Sequence, residues 1–259
     1  TLLVGCLFHS KEFSNPHSLE MNAFHMILWL AYLFKQSSEQ LTIVEYSELS
    51  TDLEDNQDLI VGIHNDYRRW VNPSAQNMLK LHWNNTLLAK AKEWAMTCNF
   101  NHSDDSYRLY NGVYAGENIL NSYYPVSWYD VITDWFKEGE DWVYEVGSES
   151  VTGHFTQIIW APTHSLACYC SECDGDSYHY FYVCIYFPAG NRKDDITTPY
   201  SSGAWCSKCP NDCDNQLCTN YCPYQDIIKN CKDVKDASLC GNPSLPCDAT
   251  CICGSDKIY

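Results

Sequence analysis

The sequence predicts an α+β layered domain followed by a small tail held together by disulfides. Three observations carry this. Apolar residues recur at helical spacing in three segments between Leu59 and Phe136. The run Tyr178 to Phe187 (YHYFYVCIYF) is almost wholly aromatic and β-branched, which suits a central strand covered on both faces. Ten of the 16 cysteines lie from Cys206 onward, in a stretch too short to bury much core without covalent staples.

Taken in order, residues 1–40 read as a leader. Within Met21 to Phe34 (MNAFHMILWLAYLF) the apolar run from Ala23 is broken only by His25 and is closed by Lys35. The run is about half a bilayer span and matches the apolar core of an export signal, with cleavage expected in 35–42. No other segment is long enough to span a membrane, so the expected mature product is secreted, extracellular and without a transmembrane segment. Cys6 would leave with the leader. Residues 45–58 hold six acids and no base, a pattern expected of a solvated lead-in.

The first helix is predicted from Leu59, with Ile60, Ile63, Tyr67, Trp70 and Val71 on one stripe and Asn72-Pro73 as its stop. A second is expected over about 87–98, with Leu87, Leu88, Ala91, Trp94, Ala95 and Cys98 on one face. A third, about 126–136, shows Trp128, Val131, Ile132 and Trp135. Past Gly153, Leu166 to Ser171 alternates, and the turn-rich Cys173-Asp-Gly-Asp-Ser-Tyr178 joins it to the aromatic run as an antiparallel hairpin. Helices first and a hairpin last give the α+β class.

The charge balance excludes several functions. Thirty-three acids against 16 Lys and Arg give a formal net charge of -17, so the chain cannot neutralise a row of nucleic-acid phosphates or sit on an anionic membrane. For the tail cysteines, the rival to disulfides is zinc ligation by Cys206-x2-Cys209 and Cys251-x-Cys253. Only one pair has knuckle spacing and the other gaps are irregular, which favours disulfides in an exported chain. Two Asn-x-Ser/Thr sequons, at Asn84 and Asn101, are candidate glycosylation sites.

Two segments, Gly153-His-Phe-Thr-Gln-Ile-Ile-Trp160 and Tyr182-Val-Cys-Ile-Tyr-Phe-Pro-Ala-Gly-Asn191, resemble the signature motifs of the CAP superfamily. The ten-cysteine tail after Pro199 (PYSSGAWCSKCPNDCDNQLCTNYCPY) narrows the resemblance to the cysteine-rich secretory proteins. It covers about 57–259. It implies a CAP α-β-α sandwich over 41–198, a cysteine-rich hinge over 199–221 and a small helical, toxin-like cysteine-rich domain over 222–259. The implied tail bridges are Cys206–Cys213, Cys209–Cys218, Cys222–Cys253, Cys231–Cys247 and Cys240–Cys251. In the larger domain they are Cys98–Cys173 and Cys168–Cys184. A further family bridge is missing, since Ala115 and Phe187 stand where its two cysteines would be. Cys170 is extra: a buried thiol, a competitor for Cys184, or an intermolecular bridge.

The family's central cavity is lined by two histidines and two glutamates, and the matching positions are His102, Glu117, Glu138 and His154. The resemblance implies a weak zinc site on His102 and His154, with the glutamates orienting them; the rival is a hydrogen-bonded network without metal. A glycan on Asn101 would crowd the mouth of that cavity. His64, His82, His164 and His179 have no matching role and are read as surface or packing residues. Neither Gly-x-Ser-x-Gly nor His-Glu-x-x-His occurs in the chain, so the expectation is a binder and not an enzyme. The resemblance implies regulation of an ion channel or contact with a gamete or other cell surface. The alternatives are a lipid or sterol carrier, for which Asn121 to Tyr124 is a candidate loop, an innate-defence protein, and, last, a zinc-dependent hydrolase.

Overall fold

The structure, a computed structural model, describes residues 41–175, 178–227, 231, 240, 247–254 and 256–259. The leader expected over 1–40, with Cys6 and Met21 to Phe34, lies outside the described residues. Thr42–Tyr259 form one contact unit. No helix among the described residues is long and apolar enough to cross a membrane.

The stretch 45–58 is not a plain solvated lead-in. It contains a short 3-10 turn, Tyr46–Leu49, and Leu49 and Thr51 are buried. The Trp128 indole donates to the Leu49 carbonyl at 3.0 Å, which fixes the segment to the core. Helix α1 is Glu54–Arg69, five residues earlier than the apolar stripe predicts. The acids Glu54 and Asp55 occupy its first turn and Arg68 and Arg69 its last, each sign facing the favourable end of the helix dipole.

The short strand β1, His82–Trp83, leads into α2, Asn85–Ala95, whose cap is Asn84. Its side-chain oxygen accepts from the N–H of Thr86 at 2.9 Å and of Leu87 at 3.3 Å, satisfying otherwise orphaned donors. Cys98 was expected inside this helix but lies past its end, at φ 50. Strands β2 (Leu109–Tyr110) and β3 (Val113–Tyr114) form a small hairpin ahead of β4, Gly116–Ser122. Helix α3, Trp128–Lys137, is capped by Ser127, and α4 is Gly153–Ile158. The hairpin is β5, Ser165–Glu172, with β6, Tyr180–Phe187.

The main sheet has the order β1-β5-β6-β4, with β1 parallel to β5 and the other pairs antiparallel. Alternate residues of β6 serve opposite layers. Tyr182, Cys184 and Tyr186 pack with Ile60 and Ile63 of α1, Trp128 and Trp135 of α3, and Ile158 of α4. Phe181, Val183, Ile185 and Phe187 pack with Leu87, Ala91 and Ala95 of α2. The result is an α-β-α sandwich, and the aromatic run is its middle strand. One residue beyond the Gly116–Tyr186 pair, Ala115 and Phe187 both sit in the α2-side cluster, so apolar packing occupies the place of the absent bridge.

Among the described residues seven disulfides close: Cys98–Cys173, Cys168–Cys184, Cys206–Cys213, Cys209–Cys218, Cys222–Cys253, Cys231–Cys247 and Cys240–Cys251. These are the pairs that the resemblance implies. Cys170 is a free, buried thiol. In the tail, β7 (Cys213–Asp214) pairs with β8 (Leu217–Cys218), and α5 is Asp248–Ile252.

Buried Arg68 holds the connections together. It is 1% exposed, and its guanidinium donates to the carbonyls of Leu79, Ile158, Trp160, Ala161 and Thr163. Burial lowers its pKa to about 9, so it remains a cation at neutral pH, solvated by backbone dipoles. It falls on the buried face of α1, four residues after His64.

Candidate functional site: two histidine–glutamate pairs at a cavity

A cavity of about 460 Å³ is lined by His102, Glu117, Asn118, His154, Gln157 and Gly190, among others. Strand alternation builds it. Glu117 stands opposite Ile185 in the register and Asn118 opposite Cys184. Successive residues of β4 therefore project to the α2 side and to the α1 side.

On the α2 side, the Glu117 carboxylate is almost fully buried, with its side chain 1% exposed. Its Oε1 lies 2.7 Å from His102 Nδ1 and accepts from the Ser103 N–H at 2.9 Å. Its Oε2 accepts from the Ser103 hydroxyl at 2.7 Å, and Arg108 approaches Oε1 at 3.5 Å. Burial alone would raise the Glu117 carboxyl pKa. The bonds from His102 and Ser103 and the Arg108 charge outweigh it and hold the pKa below the ordinary value. Arg108 in turn donates to the Ser103 carbonyl and pairs with Asp105.

On the other side, Glu138 closes α3 and caps α4. Its Oε2 accepts from the N–H of His154 at 2.9 Å and of Phe155 at 3.3 Å, and its Oε1 lies 2.6 Å from His154 Nδ1. The His154 ring stacks on Trp135, with centroids 5.7 Å apart. Asn118 joins this pair to the core: its side-chain amide donates to the His154 carbonyl at 3.1 Å and to the Tyr186 hydroxyl at 3.3 Å. Gly116 allows the close packing beneath, because a Cβ there would lie 2.0 Å from Gln157 Oε1.

The four expected residues thus form two separate pairs. In each, the carboxylate engages Nδ1 and fixes the ring, leaving Nε2 as the other nitrogen. Each imidazole Nε2 is a donor of the kind zinc takes; were zinc held here, His102 and His154 would be its ligands and the glutamates would orient them. Among the described residues, one set of three or more metal-ligating side chains converges: Cys206, Cys209 and Cys218. Their sulfurs are in the Cys206–Cys213 and Cys209–Cys218 disulfides, so they are not thiolate ligands.

The histidines without an assigned role divide by burial. His64 and His164 are buried, whereas His82 and His179 are exposed. Asn84 is occupied as the α2 cap, and Asn101 is exposed directly before His102. Ser103, Arg108 and Asn118 belong to the site but were not singled out from sequence. Their signals are adjacency to His102 and Glu117 for two of them and none for Arg108.

Residues 61–186 match the protein-family model described as "CAP: Cysteine-rich secretory protein family", and residues 206–259 match "Crisp". Among solved structures, the chain is similar to Na-ASP-1 at 24% identity and TM-score 0.54, over 63% of this chain and 46% of that one. It is similar to Schistosoma mansoni venom allergen-like protein 4 at 23% identity and TM-score 0.50, over 61% and 100%. It is also similar to NaASP2, in a structure with Zn2+, at 28% identity and TM-score 0.52, over 64% and 96%. The match spans less than half of Na-ASP-1.

Proposed function

The chain belongs to the cysteine-rich secretory protein family, and from that premise we propose that it is a secreted protein acting by binding, not catalysis. Its partner in this reading is an ion channel or another cell-surface protein, in reproduction a gamete surface. The supporting observation is the way the hinge is pinned while several large apolar side chains around and beyond it stay exposed.

The Cys218 N–H donates to the Met78 carbonyl at 2.7 Å, and the Lys80 N–H donates to the Cys218 carbonyl at 2.8 Å. Gln76 exchanges bonds with Ser201 and Lys208, and Arg69 donates to the Asn215 carbonyl. Trp205, within this clamp, and Tyr224, Ile227 and Ile252, beyond it, are exposed. From Cys206 onward there are five lysines, no arginine and seven aspartates, so contact through aromatic and aliphatic side chains is favoured over a cationic plug.

Current recordings from cells expressing calcium or ryanodine-type channels test this with the whole chain and a Tyr224→Ala/Ile252→Ala variant. Block by the whole chain is expected, with potency about tenfold lower in the variant; no effect of the whole chain removes the channel reading.

A second reading rests on Tyr123 and Tyr124, which are exposed at 57% and 62% in the loop after β4. They would admit a lipid or sterol, and a Tyr123→Ala/Tyr124→Ala variant losing sterol binding while keeping channel block would separate the two. In either reading the two-histidine site holds zinc as a weak structural ligand.

A further inference from the structure

We propose that the packing of Tyr221 against His82 and His164 is an acid-sensitive latch, docking the cysteine-rich end on the larger domain at neutral pH and releasing it on acidification. The Tyr221 ring stacks on His164 with centroids 4.2 Å apart and planes at 20°, and lies 5.5 Å from His82. The two imidazoles are themselves 6.0 Å apart, and the edge of Phe187 closes the other side of His164 at 5.8 Å.

Tyr221 sits where the two ends of the last domain meet. It pairs with Ile258, the Cys222 N–H donates to the Ile258 carbonyl at 2.9 Å, and the Ile258 N–H donates to the Asn220 carbonyl at 3.1 Å. The next residue is tied by Cys222–Cys253. Freeing the Tyr221 ring therefore loosens the attachment of everything beyond it, while the hinge stays clamped at Cys218.

The surroundings oppose a proton. His164 Nδ1 is engaged by the Ser165 hydroxyl at 2.9 Å, and its buried Nε2 has no hydrogen-bond partner, so an imidazolium would carry an N–H without an acceptor. The charged groups bearing on the pair are cations: Arg68 from α1 toward His164, and Lys80, just before β1 and paired with Asp214, toward His82. Burial, then His82 and Arg68, push the His164 pKa down to about 3; His82 is exposed as a residue, but the desolvation of its ring against Tyr221 and His164, and then Lys80, lower its pKa. Once released, both rings regain an ordinary value near 6.5. Between these values the open form binds more protons than the docked form, so opening is favoured as pH falls. At pH 5 the gain is about 30-fold for His164 alone.

Hydrogen exchange on the whole chain at pH 7.5 and pH 5, corrected for intrinsic rates, tests the latch. Protection of the Cys222 and Ile258 amides is expected to fall at least about 30-fold at pH 5 while β5–β6 amides stay protected, and His164→Phe, which keeps a ring in place, should cut the change to the part that His82 contributes. Equal protection at both pH values, an acid response undiminished in His164→Phe, or simultaneous loss across β5–β6 would each overturn it. Should that variant not fold, NMR titration of His164 in the unmodified chain decides: ordinary titration near 6.5 with the Ile258 amide still protected also overturns the latch.

Discussion

Glu138 Oε1 stands 2.6 Å from His154 Nδ1 while the same carboxylate caps the helix on which His154 sits. Glu138 therefore orients the ring twice, through the imidazole and through the backbone that carries it. Glu117 does the corresponding work for His102 with help from Ser103 and Arg108. For zinc held by the two imidazoles, Glu117→Gln and Glu138→Gln should each weaken affinity about 10- to 100-fold, read by calorimetry with zinc alone. Affinity unchanged in both variants would mean that the glutamates do not set the ligand geometry.

Arg68 is the second test. Replacing it by Met keeps volume but removes a donor from five carbonyls, of which Trp160 and Ala161 keep a backbone N–H, from Thr163 and Leu79. A loss on the order of 4 kcal/mol in urea unfolding is expected. Arg68→Lys should recover only part, because an ammonium supplies three donors without the planar fork.

How far the sequence carried the fold follows from what each segment depends on. The aromatic run became β6 because a strand buried on both faces leaves a compositional mark that survives any tertiary context. The α2 and α3 helices were placed within a few residues, and their ends moved where caps decide: Asn84 pulled one start forward, and Cys98 turned out at φ 50 toward Cys173. The start of α1 was missed because Glu54 and Asp55 looked like a solvated acidic run, when acids are also what a helix N-terminus favours. At the site, the four motif positions were legible by resemblance. Arg108 was not, because a lone arginine in a turn has no periodicity, and its role comes from a loop folding back on Ser103.

The disulfides should differ in worth according to the loop each closes. Cys98–Cys173 spans 75 residues and Cys206–Cys213 spans 7. Chain-entropy reasoning gives roughly 4.5 kcal/mol for the first and about 2.5 kcal/mol for the second. Paired Cys→Ala variants compared by thermal unfolding under non-reducing conditions should show that order. The reverse order would mean that native packing, not loop closure, sets the difference.

Cys170 lies on β5 opposite Tyr182, 4% exposed, and burial pushes its thiol pKa well above the ordinary value. A thiol held neutral and covered is a poor nucleophile. Native protein beginning at residue 41, and so without Cys6, should at pH 8 resist a thiol-specific reagent for hours and gain one label per chain in denaturant without reductant. Rapid labelling of the native chain would show that the strand opens locally.

His64 supplies the last test. Its Nδ1 faces the Ile60 carbonyl at 2.8 Å and its Nε2 faces the Tyr186 hydroxyl at 2.8 Å, so the neutral ring donates at one nitrogen and accepts at the other. Tyr186 in turn receives the Asn118 amide, which links α1 to the backbone of His154. A proton on Nε2 would set two donors against each other, and burial already lowers the His64 pKa to about 4. The unfolded chain takes its proton near 6.5 and the folded chain only near 4, so the unfolded state binds more protons between them and stability falls as pH falls. At pH 4.5 the share of His64 is roughly 2–3 kcal/mol. His64→Gln, which does not titrate, should be less stable at pH 7 yet lose less on going to pH 4.5 in urea unfolding. Glu117, held below its ordinary pKa, contributes in the same direction but only as pH falls below the ordinary glutamate value, and Asp134, raised by burial, acts in the opposite direction in both proteins, so the difference between them from pH 6.5 to 4.5 reads His64. A pH dependence identical in His64→Gln and the unmodified chain over that interval would assign the loss to His82 and His164 instead.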